Sequence, residues 1–264
     1  MTLLHGIARF DPDRGRRNRN AVKTIILRAL SHARKDDVFC IQVGANDGKL
    51  ADPIHGMITA NGWTGLLIEP HPAYYRDLVA LYADTPGIRT LNVGISDQEA
   101  TLPLYHLAED ARGLYPAWAR GCASLDESWM SAAIDRACDM EGITREDHHL
   151  ARVDVPLVRL DGVLKDHKIT RADILVVDVE GHEPAVMRSF DLDALSASVV
   201  IIECKSSGRR AQGAHVAQLE KAGFDVFRLS GDLYGVHRDR MTVPLSDMLQ
   251  WIGYDALVAP GTPA

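Results

Sequence analysis

The residues most able to do chemistry in this sequence stand directly after apolar runs. Residues 38–43 are apolar and partly β-branched and stop at a glycine-bearing loop, 44–48, while a second apolar run, 65–68, stops at Glu69. Glycine lets a backbone approach a ligand closely. An acidic residue about 20 positions after such a loop is placed to accept hydrogen bonds from ribose hydroxyls. The pattern predicts a site for a nucleoside-containing cofactor.

The motifs that would specify other nucleotides are absent from the sequence. The loop from Gly44 to Gly48 lacks the full G-x-G-x-x-G spacing, and no G-K-[ST] string occurs. Nicotinamide dinucleotides and nucleoside triphosphates are therefore disfavoured, because their phosphates depend on those loops. S-adenosylmethionine carries no pyrophosphate and fits the short loop better.

Alternating strands and helices must position these residues. Apolar runs at 88–93, 155–160, 174–177 and 199–202 predict further strands, with helical periodicity between most of them. The order predicts an α/β fold with a doubly wound, mostly parallel sheet, in which ligands bind beyond the carboxyl ends of the strands. We expect one hairpin through Ser96 and Asp97 to Leu104, and a C-terminal antiparallel hairpin at 224–236.

The chain divides into a short N-terminal part, 1–36, and one large domain, 37–264. The first twenty residues are rich in arginine and predict a solvated arm, followed by an amphipathic helix at 20–33. Periodicity fails at about 106–152 except for one helical stretch at 129–138, which predicts an inserted lid segment.

Composition excludes several classes of function. The net charge of −7 and a pI near 5.9 lack the basic excess of a nucleic-acid-binding domain. No apolar run approaches the roughly 20 residues that cross a bilayer, and no signal peptide is evident, so we expect a cytoplasmic protein without membrane partners. Four scattered cysteines predict reduced core thiols. The oligomeric state stays open, a homo-oligomer included.

Four ordered strings resemble a known family. They are V-G-A-N-D-G at 43–48, I-E-P-H-P at 68–72, N-V-G-I-S-D at 92–97 and V-D-V-E-G-H-E at 177–183. In order and spacing they resemble the FkbM family of methyltransferases, and the likeness covers about 38–203. The resemblance implies a class I, Rossmann-like methyltransferase that uses S-adenosylmethionine, commonly on hydroxyls of sugars, glycans or polyketide products.

The resemblance also assigns residues to the cofactor. It places Gly44, Ala45, Asn46 and Asp47 around the methionine and ribose, Glu69 at the ribose diol, Pro70 and His71 at the adenosine edge, and Gly94, Ser96 and Asp97 near adenine.

Methyl transfer needs a group that accepts the acceptor's proton, and the fourth string offers candidates. Asp178 is the candidate for binding the cofactor's amino group, and Glu180 or His182 is the candidate general base. The alternatives are that Glu180 caps the next helix and that His182 is a polar surface residue. With Glu203 these residues also form a candidate magnesium site, although we favour metal-independent chemistry.

The acceptor is expected to be a small molecule or a glycan, with a hydroxyl as the methylated group. Tyr115, Trp118 and Trp129 are candidates for the lining of its pocket. N-methylation of a small amine stays open. Methylation of nucleic-acid bases is disfavoured, because D-V-E-G stands where such enzymes carry [DN]-P-P-[YF]. A non-catalytic binding protein would show damaged cofactor motifs, whereas the four strings at 43–48, 68–72, 92–97 and 177–183 look complete.

Overall fold

A seven-stranded sheet forms the centre of the protein, and a four-stranded sheet stands beside it. The computed structural model describes residues 12–50, 52–204, 208–229 and 231–243, with side chains from residue 22 onward. The strands of the main sheet are β1 Phe39–Val43, β2 Thr64–Ile68, β3 Ile88–Leu91, β8 Ile174–Val177, β9 Val199–Glu203, β10 Phe224–Leu229 and β11 Asp232–His237. The second sheet contains β4 Gly94–Ile95, β5 Ala100–Leu107, β6 Ala123–Ser124 and β7 Leu150–Val158.

The main sheet has the strand order β10-β11-β9-β8-β1-β2-β3. Strands β3, β2, β1, β8 and β9 pair in parallel, as the sequence predicted. Strand β11 runs antiparallel to both β9 and β10 and makes the sheet mixed. The order reverses between β1 and β8, so their carboxyl ends border the crevice where such sheets bind ligands.

Helices cover both faces of this sheet, which explains why its parallel strands are continuously apolar. The helices are α1 Pro12–Arg34, α2 His55–Asn61, α3 Pro72–Tyr82, α4 Ala117–Gly121, α5 Glu127–Glu141, α6 Leu160–Asp166, α7 Glu183–Arg188, α8 Leu192–Leu195 and α9 Arg209–Lys221. On one face of the sheet Ile41 and Leu175 pack in a core with α6, α7, α8 and α9. On the other face Cys40 and Val176 pack with α1, α2 and α3.

The hairpin expected through Ser96 and Asp97 is wrong. Strand β4 pairs in parallel with β7, and β5 pairs antiparallel with the opposite edge of β7, so β4 and β5 are not neighbours. The nine-residue β7 separates them, and it begins at Leu150, before the expected 155. The sequence around Ser96 and Asp97 favoured a local hairpin, but β4 and β5 each pair with β7, a strand far along the chain.

Residues between β5 and β7 form a small unit with its own core. Helix α5 has Asp126 as its N-cap, which accepts hydrogen bonds from the backbone N–H groups of Ser128 and Trp129. Met130 and Ile134 of α5 are fully buried in a cluster with Leu107 of β5. This core holds α4 and α5 over the carboxyl ends of the main strands.

The N-terminal helix is longer than predicted. Helix α1 begins at Pro12 and not at residue 20, because proline is favoured at a first helical position and arginine is a good helix former. The expected arm is thus wrong from Pro12 onward, and its residues 1–11 lie outside the described part of the chain. Leu30 of α1 is buried, and Ser31 accepts a hydrogen bond of 2.7 Å from the Trp63 ring nitrogen.

Among the described residues, no helix combines the length and apolar character that a membrane-spanning segment requires.

Candidate functional site

A cleft with a volume of about 990 Å³ lies at the carboxyl ends of the central strands. Its floor follows β1, β2, β8 and β9, and its walls come from the second sheet and from α4 and α5. Small-ligand sites span about 300–1,000 Å³. The cleft is therefore large enough for two small molecules side by side.

The loop after β1 enters the cleft in a conformation that requires glycine. Gly44 has φ of 83°, and a β-carbon there would overlap the carbonyl oxygen of Asp178. The Gly44 N–H donates to the carbonyl of Ile68, and the Asp178 N–H donates to the carbonyl of Val43, at 2.9 and 3.0 Å. The loops after β1, β2 and β8 are thereby fixed to one another.

Glu69 is buried at the mouth of this loop, with 4% of its surface exposed. One carboxylate oxygen accepts from the Asn46 N–H at 2.8 Å, and the other accepts from the His71 N–H at 2.7 Å. Burial raises the pKa of Glu69 to about 7, and the two backbone donors oppose that rise. A ligand that donated hydrogen bonds to this carboxylate would favour its ionised form.

Three more carboxylates meet across the cleft from Glu69. Asp178 and Glu180 follow β8, and Glu203 ends β9 as a buried residue. One oxygen from each lies within 4.8 Å of the others. Glu180 has φ of 50°, and its carbonyl accepts a 2.8 Å hydrogen bond from Ser124. This concentration of negative charge complements a cation.

His182 lies on the same loop and lines the cleft. It is the N-cap residue of α7, but its side chain makes no capping bond, and its Nε2 lies 2.9 Å from the Ser96 hydroxyl instead. Burial lowers the pKa of His182, which keeps the ring neutral near pH 7. It is half-buried and contacts Ser96, whereas the alternative from the sequence was a polar surface residue. The N-cap position of α7 is His182, so Glu180 is not the N-cap residue.

Most of the sequence-predicted residues come together in this cleft. The predicted residues that line it are Gly44, Ala45, Asn46, Glu69, Pro70, Gly94, Asp178, Glu180 and His182, together with Trp118 and Trp129. Val93, Ile95 and Leu157 form an apolar surface around Gly94. That surface has the character of a site for a flat ring.

Four predicted cofactor residues do not line the cleft. Asp47 accepts hydrogen bonds from the backbone N–H groups of Lys49 and Leu50, which closes the loop behind the cleft. His71 is the N-cap of α3 and stacks on Tyr74 with 4.1 Å between ring centroids.

The other two, Ser96 and Asp97, support neighbouring side chains. Ser96 contacts His182, and Asp97 forms an ion pair of 2.8 Å with Arg188, which lowers the pKa of Asp97. Ser96 and Asp97 therefore contact His182 and Arg188 and do not line the cleft themselves.

Tyr115, a candidate for the acceptor pocket, does not line the cleft. Its hydroxyl is buried in the core of the inserted unit, 2.6 Å from His149 Nδ1 and 3.2 Å from the Cys138 sulfur. The aromatic content of the insertion alone did not distinguish Tyr115 from Trp118, which does line the cleft.

Several lining residues were missed, among them Gln42, Asp52, Cys122 and Arg136. Gln42 donates from Nε2 to Asp52 at 3.0 Å, while its buried Oε1 has no hydrogen-bond partner within the described residues. A signal existed in the sequence, because Gln42 is the one polar residue of the apolar run that precedes Gly44.

Comparison with known proteins identifies relatives. The Methyltransferase FkbM domain matches residues 42–226. Methyltransferase sdnD of Sordaria araneosa is 31% identical over 179 residues, which are 62% of this chain and 65% of that protein. The chain thus spans slightly less than two thirds of the length of this relative.

Solved structures with a similar arrangement are more distant. A crystal structure of methyltransferase FkbM from Methylobacillus flagellatus KT is 13% identical with a TM-score of 0.47, and the match covers 76% of this chain and 44% of that one. Fibrillarin of Aeropyrum pernix, crystallised with natively bound S-adenosyl-L-methionine, is 12% identical with a TM-score of 0.38, covering 76% and 66%. Because the family's domain matches more than half of the sequence, the chain belongs to the FkbM methyltransferase family.

Proposed function

We propose that this protein transfers a methyl group from S-adenosylmethionine to a hydroxyl of a small sugar, glycan or secondary metabolite. The observation that carries the proposal is the buried carboxylate of Glu69, held at the end of β2 beside the glycine loop and open to the cleft. A carboxylate in this position can accept hydrogen bonds from the two hydroxyls of a ribose. Family membership supports methyl transfer.

The residues of the cleft fit this cofactor. Glu69 would accept from the ribose hydroxyls, and the apolar surface of Val93, Ile95 and Leu157 would contact adenine. The buried Oε1 of Gln42 lacks a donor within the described residues, and an ammonium group supplies one. Asp178 would add negative charge near the same ammonium group.

When bound, S-adenosylmethionine supplies an electrophilic methyl group: the acceptor oxygen bonds to the methyl carbon as the carbon–sulfur bond breaks, and the bonding electron pair stays on sulfur. The chain must hold the acceptor oxygen in line and receive its proton. We assign the proton to His182, whose neutral ring faces the cleft and is oriented by Ser96. Glu180, on the same loop, is the alternative base.

Magnesium is the alternative to a protein base. Asp178, Glu180 and Glu203 present oxygens within 4.8 Å of one another, and oxygens are the ligands that magnesium prefers. A metal there would lower the pKa of the acceptor hydroxyl. We favour metal-independent chemistry, because the same negative charge complements the positively charged cofactor.

An acceptor assay tests the proposed reaction. The protein is incubated with S-adenosylmethionine labelled in its methyl group and with pairs of candidate acceptors that differ only by hydroxyl or amine. We expect label in the hydroxyl compounds, with an equal amount of S-adenosylhomocysteine formed. Label in the amines alone would establish N-methylation, and cofactor binding without transfer to any of these compounds would contradict the proposed acceptor class.

A further inference from the structure

The outer half of the cleft is formed by one side of α5. The residues of α5 on this side recur at helical spacing: Trp129, Ala132, Ala133, Arg136 and Met140. The opposite side packs in the core of the inserted unit through Met130, Ile134, Ala137 and Cys138. Two small alanines between larger side chains leave a slot on the cleft side.

Exposed apolar side chains border this slot. Trp118 of α4 and Leu50 are each 37% exposed, and Met140 is 60% exposed, yet all three line the cleft. Exposed apolar groups gathered at the mouth of a cavity mark a binding surface. The slot therefore suits a flat apolar body, such as an aromatic or alicyclic ring.

Arg136 gives the slot its charge. It is the one lysine or arginine among the described residues that line the cleft, and the other charged side chains there are carboxylates. Its guanidinium carbon lies 5.5 Å from the centre of the Trp118 ring. It makes no ion pair with another described residue, in contrast to Arg145, which pairs with Asp135.

This arrangement separates two kinds of ligand chemistry. The carboxylates at the strand ends attract a cation, whereas the guanidinium of Arg136 presents planar donors that match a carboxylate. The cation–π contact with Trp118 limits the freedom of the guanidinium, so less entropy is lost when an anion binds.

We propose that the acceptor is a hydroxylated aromatic or alicyclic carboxylic acid, with its ring in the slot and its carboxylate on Arg136. The proposal rests on the proposed methyl transfer and narrows its substrate class. Neutral sugars and glycans are disfavoured, because they offer neither a flat apolar body nor a negative charge.

Calorimetric titration of matched probes tests the proposal. The probes are 4-hydroxybenzoate, 4-hydroxycinnamate and 6-hydroxy-2-naphthoate, each compared with its neutral primary amide, with and without saturating S-adenosylhomocysteine. We expect at least one acid to bind about tenfold or more tightly than its amide, as a hydrogen-bonded charge pair allows. Arg136→Gln should remove this preference, and Arg136→Lys should keep part of it. Arg152→Gln, which removes an exposed arginine outside the cleft, should leave it unchanged.

The outcomes are separable from those of the proposed function. Equal binding of every acid and its amide by the unaltered protein overturns the acceptor class, even if S-adenosylhomocysteine binds normally. Weaker binding of S-adenosylhomocysteine to Arg136→Gln, with the acid preference retained, also overturns it, because Arg136 would then hold the cofactor's carboxylate. If S-adenosylhomocysteine does not bind at all, the proposed function fails, and the probe titrations without it still decide the role of Arg136.

Discussion

The inner and outer halves of the cleft differ in how they are built. The inner half consists of loops that follow buried strands, and it holds Glu69 and Glu203 with 4% and 5% of their surfaces exposed. The outer half is one side of α5 and the adjoining α4, where Arg136 and Met140 are exposed. Two backbone N–H groups fix the buried carboxylate of Glu69, whereas the outer side chains stand on α5, whose opposite side packs in the core of the inserted unit. The inner half is therefore the more rigid of the two, and the outer half is the more exposed.

The largest expected effect belongs to the chemical step in the inner half. His182→Ala should lower turnover by about two to four orders of magnitude and leave cofactor affinity nearly intact, because only proton transfer is lost. Single-turnover kinetics and calorimetry on the same variant measure the two quantities. His167→Ala, outside the cleft, is the control.

Treatment with a chelator distinguishes His182 as the base from a metal ion that ionises the acceptor hydroxyl. If a chelator abolishes turnover, magnesium restores it and His182→Ala stays active, the base assignment is wrong. Asp178, Glu180 and Glu203 would then hold a metal that ionises the acceptor hydroxyl.

The next effect concerns the rigidity of the inner half. Gly44→Ala should lower the free energy of unfolding by about 3 kcal/mol or more, because a β-carbon at positive φ would overlap the Asp178 carbonyl. Gly56→Ala in α2 is the matched control, since its β-carbon would meet nothing within 4 Å. That variant should be stabilised by about 0.5–1 kcal/mol. Equal unfolding midpoints in denaturant would contradict the close approach of the two loops.

Burial of Glu69 predicts a pH dependence of cofactor binding. The pKa near 7 means that the carboxyl is largely protonated at pH 6 and ionised at pH 8. Ribose donors need the ionised form, so affinity for S-adenosylhomocysteine should rise about tenfold from pH 6 to pH 8. Calorimetry across this range measures it. Glu69→Gln should lose the part of the pH dependence that the unaltered protein shows beyond the ligand's own titration.

The smallest effect is expected in the outer half. Met140→Ala should change the free energy of unfolding by no more than about 0.5 kcal/mol, because the side chain is 60% exposed. Its effect should fall on the KM for the acceptor, with cofactor affinity unchanged. A loss of cofactor affinity equal to the loss of acceptor affinity would mean that the two halves are not separate sites.

The inner half could be predicted from the sequence because its signals are local. An apolar run that ends at Gly44 or at Glu69 predicts both a strand and the residue at which that strand ends. Parallel pairing then brings these ends together without further information. Gln42 carried a signal of the same kind, a polar residue within an apolar strand.

The outer half could not be predicted because its signals depend on distant residues. A helix at 129–138 was expected, but α5 is apolar on two sides, and only the packing against Leu107 decides which side faces the cleft. The hairpin expected through Ser96 and Asp97 was wrong for a similar reason, since β4 and β5 both pair with β7, which lies far along the chain. Pairings between distant segments leave no mark in local periodicity.

Titration of S-adenosylhomocysteine into the unaltered protein, Glu69→Ala and Glu99→Ala tests the central claim most directly. Glu99 is exposed and lies outside the cleft, so its variant controls for loss of one negative charge. We expect micromolar binding to the unaltered protein and to Glu99→Ala, and binding weaker by about 1–3 kcal/mol in Glu69→Ala, whose ribose contacts would be lost. Equal affinity in all three proteins would contradict the placement of the cofactor's ribose at Glu69.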